Sequence, residues 1–167
     1  IRSAHNVGNI LRAAEAARVT EVILCGITPV PPNPKVLKTA VGSAEYVPHK
    51  HAGSTMEAVL NLKSDGVSVL GVETTSKSVS LYKATQIKEQ HRGGLALVFG
   101  NEVVGVHSDV MEVCDGLISV PMHGIKNSLN VATCASIVMW EVLRQWEEMQ
   151  EQEEDNDRDG ERSVVPD

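Results

Sequence analysis

The sequence predicts an α/β domain with a largely parallel sheet flanked by helices. Two observations lead there: apolar runs of strand length alternate along the chain with stretches of helical period, and 167 residues suit one domain with a sizeable core.

Asn6 to Ala17 reads as a helix, with Val7, Ile10, Leu11 and Ala14 on one face. Arg12 falls roughly 150° from that stripe at about 100° per residue, so it points away from the core. Glu21 to Cys25 is a short strand ending at Gly26. The prolines of Thr28 to Pro34 fix φ and remove donors, which makes that segment a rigid loop. Lys35 to Glu45 is expected as a helix and Tyr46 to Pro48 as extended chain. Ser54 to Lys63 is a helix with Ser54 or Thr55 as N-cap and Glu57 close behind. Val67 to Val72, Leu95 to Phe99 and Leu117 to Val120 are strands, and Ser108 is expected to cap a short helix through Val113. Val131 to about Met149 is a long helix. One stripe holds Val131, Ala135, Val138, Val142 and Met149, while Ile137 and Trp140 lie on another side. A helix apolar on two sides is buried on two sides, and a second subunit is one candidate for the second cover.

From Glu147 onward the chain carries ten acids and two bases, so its net charge of −7 belongs to the tail and the body is close to neutral. Residues 1–149 therefore read as the folded domain and 150–167 as an acidic disordered tail, too poor in apolar residues to pack. A neutral body does not exclude nucleic acid, because a local basic patch suffices. No apolar run reaches the roughly 18 residues of a membrane span. The chain opens at Ile1 without an initiator Met or an apolar leader, so it is expected to be a fragment. Cys25, Cys114 and Cys134 form no C-x-x-C pair, which argues against zinc and a disulfide framework and for a reducing compartment. His49 and His51 stand in an H-x-H, but no carboxylate or cysteine supports them at ligand spacing, and no metal is expected.

In parallel sheets ligands sit beyond the carboxyl ends of strands. Three strand ends carry unusual residues: Phe99-Gly100-Asn101-Glu102, Val120-Pro121-Met122-His123-Gly124, and the proline-rich loop after Cys25. Gly100 lets a ligand approach the backbone, although the segment also reads as an ordinary strand-turn-helix junction. It is neither a Walker A nor a G-x-G-x-x-G loop. The loop before the last helix gathers Gly124, Lys126, Asn127, Ser128 and Asn130 against an apolar helix, which suits a pocket with a few placed polar groups. Ser128 or Asn130 equally fits a plain N-cap. His123 reads as loop structure or an RNA contact.

Taken together these segments resemble the SpoU/TrmH branch of the SPOUT RNA methyltransferases. Asn6 with Arg12 matches the first motif (N-x5-R). Gly100-Asn101-Glu102 with Gly105 matches the second, and Pro121-Met122-x-Gly124-x3-Ser128-Leu129-Asn130-Val131 the third. The order is right, and the resemblance covers about residues 1 to 149. It implies an α/β fold with a C-terminal trefoil knot, S-adenosylmethionine as cofactor, and methyl transfer to a ribose 2′-hydroxyl of tRNA or rRNA without a metal. By motif position it implies backbone contacts to the cofactor at Gly100, Val120 and Leu129. Arg12 is then the activating residue, with Asn6, Glu102, Ser128 and Asn130 shaping the site. A guanidinium ordinarily holds its proton to pH 12 or above, so gripping a phosphate and orienting the hydroxyl is the favoured role over acting as a base. The resemblance further implies a homodimer, which agrees with the two-sided C-terminal helix. A cytoplasmic location is expected, with an organelle left open because any targeting segment would lie upstream of Ile1. The resemblance also implies a strand ahead of the first motif, which this chain lacks. A non-catalytic RNA-binding relative is the alternative, and the presence of Arg12 with the whole third motif favours the enzyme.

Overall fold

The computed structural model describes residues 1–90 and 93–162. Helices α1 (Ala4–Ala16), α2 (Pro34–Ala40), α3 (Thr55–Ser64), α4 (Thr85–Glu89), α5 (Ser108–Val113) and α6 (Val131–Arg162) alternate with strands β1 (Val22–Cys25), β2 (His49–Ala52), β3 (Ser68–Val72), β4 (Val79–Ser80), β5 (Leu95–Phe99) and β6 (Gly116–Ser119). Every strand pairing is parallel, as the alternation predicts. The strands form two sheets, however: four strands in the order β4-β6-β3-β5, and a separate pair β1-β2.

The two sheets are joined by shared packing. One core cluster holds Val7, Leu11 and Ala14 of α1, Val36 and Ala40 of α2, Leu24 of β1, and Ala135 and Met139 of α6, with Leu97 and Phe99 of β5 packed against it. A second holds Leu70, Ile118, Leu81 and Ile87 with Val138 and Val142 of α6. Helix α6 therefore lies between both clusters, and its two-sided apolar pattern is largely accounted for within one chain. What stays uncovered is Trp140, 48% exposed, beside Tyr82, 56% exposed. Buried polar residues hold α6 in place. Gln145 donates to the Leu81 carbonyl at 3.3 Å and to Glu141 at 2.8 Å, and the Trp146 indole donates to the Ile87 carbonyl at 2.8 Å. Burying such groups is tolerable because each has a partner.

Several local expectations are corrected. The helix expected over Lys35 to Glu45 breaks after Ala40, where Val41 and Gly42 take φ of 51° and 87°, and resumes as one 3-10 turn at Ser43–Glu45. The extended segment lies at His49–Ala52 rather than at Tyr46 to Pro48. Ser108 does not cap α5: His107 holds the N-cap position, without a side-chain bond. Ser54 does cap α3, its Oγ accepting the Glu57 N–H at 3.1 Å. Helix α6 runs on through Arg162, where a disordered tail is expected from composition; residues 163–167 lie outside the described part. Glutamate, glutamine and arginine are good helix formers, and Arg158 reaches Glu154, one turn back, at 3.3 Å.

Helices α1 and α2 pack closely enough that a Cβ on Gly8 would stand 2.0 Å from Thr39 Oγ1 and 2.3 Å from the Val36 carbonyl oxygen. In an isolated helix Gly→Ala gains roughly 1 kcal/mol. Here the crowding reverses the sign, and Gly8→Ala should destabilise the protein by about 1–3 kcal/mol. Urea unfolding checks this, and an unchanged or raised midpoint would contradict the packing.

Candidate functional site

All strands being parallel, the carboxyl ends of β3, β5 and β6 share one edge of the larger sheet. A cleft of about 490 Å³ opens there. Val72, Phe99, Val120, Met122, Leu129, Val131 and Cys134 give it an apolar lining, and Glu73, Asn101, Glu102, Ser128 and Asn130 supply polar groups. The start of α6 forms one wall.

The turn after β5 is built by Asn101. Its backbone exchanges two hydrogen bonds with Gly105, at 3.2 and 3.0 Å, and its side-chain oxygen accepts the N–H groups of Val103 and Val104 at 2.9 and 3.0 Å. Gly100 is obligatory: a Cβ there would lie 2.0 Å from the Gly105 carbonyl carbon. The turn carries Glu102 to the N-terminus of α1. One carboxylate oxygen accepts the Arg2 N–H at 2.8 Å; the other accepts the Ser3 N–H at 3.1 Å and the Asn6 amide at 2.8 Å. A carboxylate is well placed there, because unpaired N–H groups and the helix dipole both favour negative charge. Partial burial pushes the Glu102 carboxyl up, but the donors from Arg2, Asn6 and Ser3 outweigh it and hold the group down at about 2.

Asn6 in turn accepts from the Asn130 amide at 3.1 Å. Asn130 also caps α6, its side-chain oxygen accepting the Ala132 N–H at 2.9 Å and the Thr133 N–H at 3.4 Å. The capping and site-building readings of Asn130 thus both hold. One chain of bonds, from Glu102 through Asn6 to Asn130, links three segments, the one holding Asn6 lying 96 and 124 residues from the other two.

The other sequence-predicted residues divide. Gly100, Val120, Leu129 and Ser128 line the cleft. Arg12 stands exposed on the outer face of α1 and makes no hydrogen bond or ion pair among the described residues. His123 is exposed in the loop after β6. The proline-rich loop after Cys25 does not line the cleft. His49 and His51 spend a ring nitrogen each on the carbonyls of Val47 and Gly26, at 2.9 and 2.8 Å. Sequence reasoning missed Glu73, at the end of β3, and the loop-building role of Asn101, which an Asx-turn pattern ahead of Gly105 would have signalled.

Comparison with known proteins adds to this geometry. The model of the SpoU rRNA Methylase family matches residues 1–140. A 23S rRNA (guanosine-2′-O-)-methyltransferase from Ralstonia nicotianae is 36% identical over 141 residues, 84% of this chain and 54% of that protein. One from Xanthomonas axonopodis is 32% identical over 145 residues, 87% of this chain and 56% of that protein. The chain spans about half the length of these curated relatives. Among solved structures, an AdoMet-bound rRNA methyltransferase from Sinorhizobium meliloti has a TM-score of 0.77 at 26% identity, covering 86% of this chain and 52% of that one. An AdoMet complex of a SpoU methyltransferase from Streptomyces viridochromogenes has 0.74 at 26%, covering 86% and 56%.

The depressed Glu102 carboxyl sets a pH window. A group whose folded value lies below its unfolded one stabilises above the unfolded value, and that contribution is lost as pH falls through the folded one. The melting-temperature gap between wild type and Glu102→Gln should therefore be steady near neutrality and close as pH falls from 4.5 towards 2. A gap unchanged across that range would show that the charge adds nothing.

Proposed function

The chain belongs to the SpoU rRNA methylase family, and from that premise we infer that residues 1–149 are the catalytic domain of an RNA ribose 2′-O-methyltransferase, with 150–167 an appendage outside it. The observation that carries the reading is the Glu102–Asn6–Asn130 chain, which gathers the three motif segments at the mouth of a cleft at the strand ends.

S-adenosylmethionine is the proposed cofactor, and the cleft fits it. The volume lies in the range of small-molecule sites, and apolar side chains such as Phe99, Met122 and Leu129 stand beside a larger share of polar groups, which suits a cofactor with both apolar and polar parts. Gly100, Val120 and Leu129 would hold the cofactor through backbone groups. The trefoil knot that the resemblance implies belongs to the same proposal, as the threading of the loops around this cleft. The cofactor supplies a methyl group on a sulfonium, which leaves as a neutral thioether, so no metal is needed to stabilise departing charge. The chain must then position a weak nucleophile, the ribose 2′-hydroxyl of tRNA or rRNA, in line with that methyl. Arg12 is free to take a phosphate beside the ribose in its planar fork and to orient the hydroxyl. Asn6, Glu102 and Asn130 keep α1, and hence Arg12, in register with the cleft. Ser128 stands exposed at the mouth, available to the ribose.

The proposed partner besides RNA is a second copy of this chain. Trp140 and Tyr82, with Ile137 and Leu143, leave an apolar cleft on α6, and a tryptophan half-exposed on a helix suits the centre of an interface. Sedimentation should give a dimer, and Trp140→Glu a monomer of nearly unchanged melting temperature. Wild type sedimenting only as monomer at tens of micromolar would refute the dimer.

Arg12→Ala tests the catalytic assignment. The side chain is exposed and makes no hydrogen bond or ion pair among the described residues, so stability should change by no more than about 0.5 kcal/mol. Cofactor affinity should be nearly unchanged. Transfer of labelled methyl to unmodified RNA should fall by roughly a hundredfold or more, the scale for losing a positioned charge-stabilising group. Arg12→Lys should rescue little, because an ammonium lacks the two-pronged grip. Near-normal transfer by the alanine variant would overturn the role of Arg12. Wild type that binds RNA but transfers no methyl would favour the non-catalytic reading.

A further inference from the structure

One carboxylate in the cleft is not used by the reading above. Glu73 follows the last residue of β3 and lines the cleft with Gly100, Val120 and Leu129. Its Oε2 accepts the Val106 N–H at 2.8 Å and its Oε1 the Thr74 N–H at 3.0 Å. A Cβ on Gly105 would stand 2.1 Å from Oε2, so the loop after β5 is folded down onto this group. Each carboxylate oxygen has two acceptor sites, and both oxygens of Glu73 keep one free. Glu102, the other carboxylate of the lining, is bound to the start of α1 by three donors. Among the described residues, the lining of the cleft includes no lysine, arginine or histidine. The negative charge of Glu73 is felt across the cleft: the Cys134 thiol on α6 is pushed up first by burial and then by Glu73.

We propose that Glu73 reads the charge of the cofactor, favouring the cationic sulfonium of S-adenosylmethionine over the neutral thioether of its demethylated product, S-adenosylhomocysteine. The inference rests on the assignment of the cleft as the cofactor site. Its physical basis is Coulombic. The two ligands share every group except the methyl and the sulfonium charge, so a fixed negative charge in a cleft whose described lining holds no cationic side chain separates them without any contact unique to one. Because the force is long-ranged, it acts wherever the sulfur lies within the cleft. The consequence for turnover is directional: uptake of the charged form is favoured, and loss of the charge on transfer weakens the hold on the product.

Titration calorimetry of both ligands tests this. Wild type and Glu73→Gln are compared, because glutamine keeps an acceptor for Val106 while removing the charge. Glu73→Gln should weaken S-adenosylmethionine by about three- to tenfold relative to S-adenosylhomocysteine, the size expected of one partly screened charge. Gly105→Ala disturbs the same loop without altering charge, and should weaken both ligands alike. Glu73→Asp should retain the preference although its contact with Val106 is lost. If Glu73→Gln fails to fold, the wild-type preference must still shrink as sodium chloride is raised, and a salt-independent preference would overturn the inference. Equal effects of Glu73→Gln on both ligands would make Glu73 a loop clip only, leaving the cofactor assignment intact. Wild type binding neither ligand would overturn the cofactor assignment, and the inference with it.

Discussion

The arrangement of the site depends on one carboxylate meeting one helix terminus. Glu102 accepts the N–H groups of Arg2 and Ser3, just ahead of α1, and the Asn6 side chain together. Asn6 carries the link to Asn130, and Asn130 caps α6. The contribution to stability is secondary. These groups are largely exposed, and a hydrogen bond open to water is worth only about 0.5–1.5 kcal/mol net. What the chain of bonds fixes is position: the first turn of α1, the turn after β5 and the first turn of α6 cannot move independently. The core sets the helices only to within the tolerance of apolar packing, which is non-directional. The directional part is supplied by these polar links at the cleft mouth.

The same edge is prepared by steric means. The Gly8 contact lets α1 lie against α2, and the Gly100 contact lets the turn after β5 fold back on itself. Both are close backbone approaches that any side chain would block. Their effects converge, because α1 and that turn are the two elements that Glu102 ties together. Parallel pairing completes the arrangement by bringing the ends of β3, β5 and β6 to one side, so the residues following each strand meet although they are far apart in sequence.

How much of this was legible in the sequence varies with the range of the cause. The outward face of Arg12 follows from helical period alone, and α1 bears it out. The Ser54 cap is equally local. The position of β2 was not legible: His-Lys-His-Ala has no apolar alternation, and its pairing with β1 is made by backbone groups in a two-stranded sheet. The strand β4, two residues long, and α4, five residues long, are too brief for any period to register. The two-sided character of α6 was visible, but not that one chain covers most of both sides. Gln145 and Glu141, polar yet buried, obscured the stripe that completes the core. The strand ends pointed to Gly100 and Val120, which line the cleft, yet Glu73 stayed invisible, since its partner Val106 is 33 residues away and is bound through its backbone. The helix beyond Met149 shows the limit of composition: it reports that a segment has little to bury, and says less about whether local propensity keeps it helical.

A division of labour follows from which polar groups are spent and which are free. Asn6, Asn101, Glu102 and Asn130 all use their side chains on other parts of the chain. Arg12 and Ser128, from the first and third motif segments, do not. A free guanidinium on a helix is in itself unremarkable, because solvated arginines are common. Its context is less so: Glu102, the carboxylate of the motif chain, is bound to the helix start by three donors, and Arg12 has no acidic partner among the described residues. An arginine drawn into an ion pair would have to surrender it before gripping a phosphate, and that exchange would cancel much of the binding energy. Binding Glu102 to backbone and amide donors keeps the scaffold fixed, while Arg12 stays unpaired among the described residues. In the proposed reaction, the phosphate of the RNA is then the first strong acceptor that Arg12 meets.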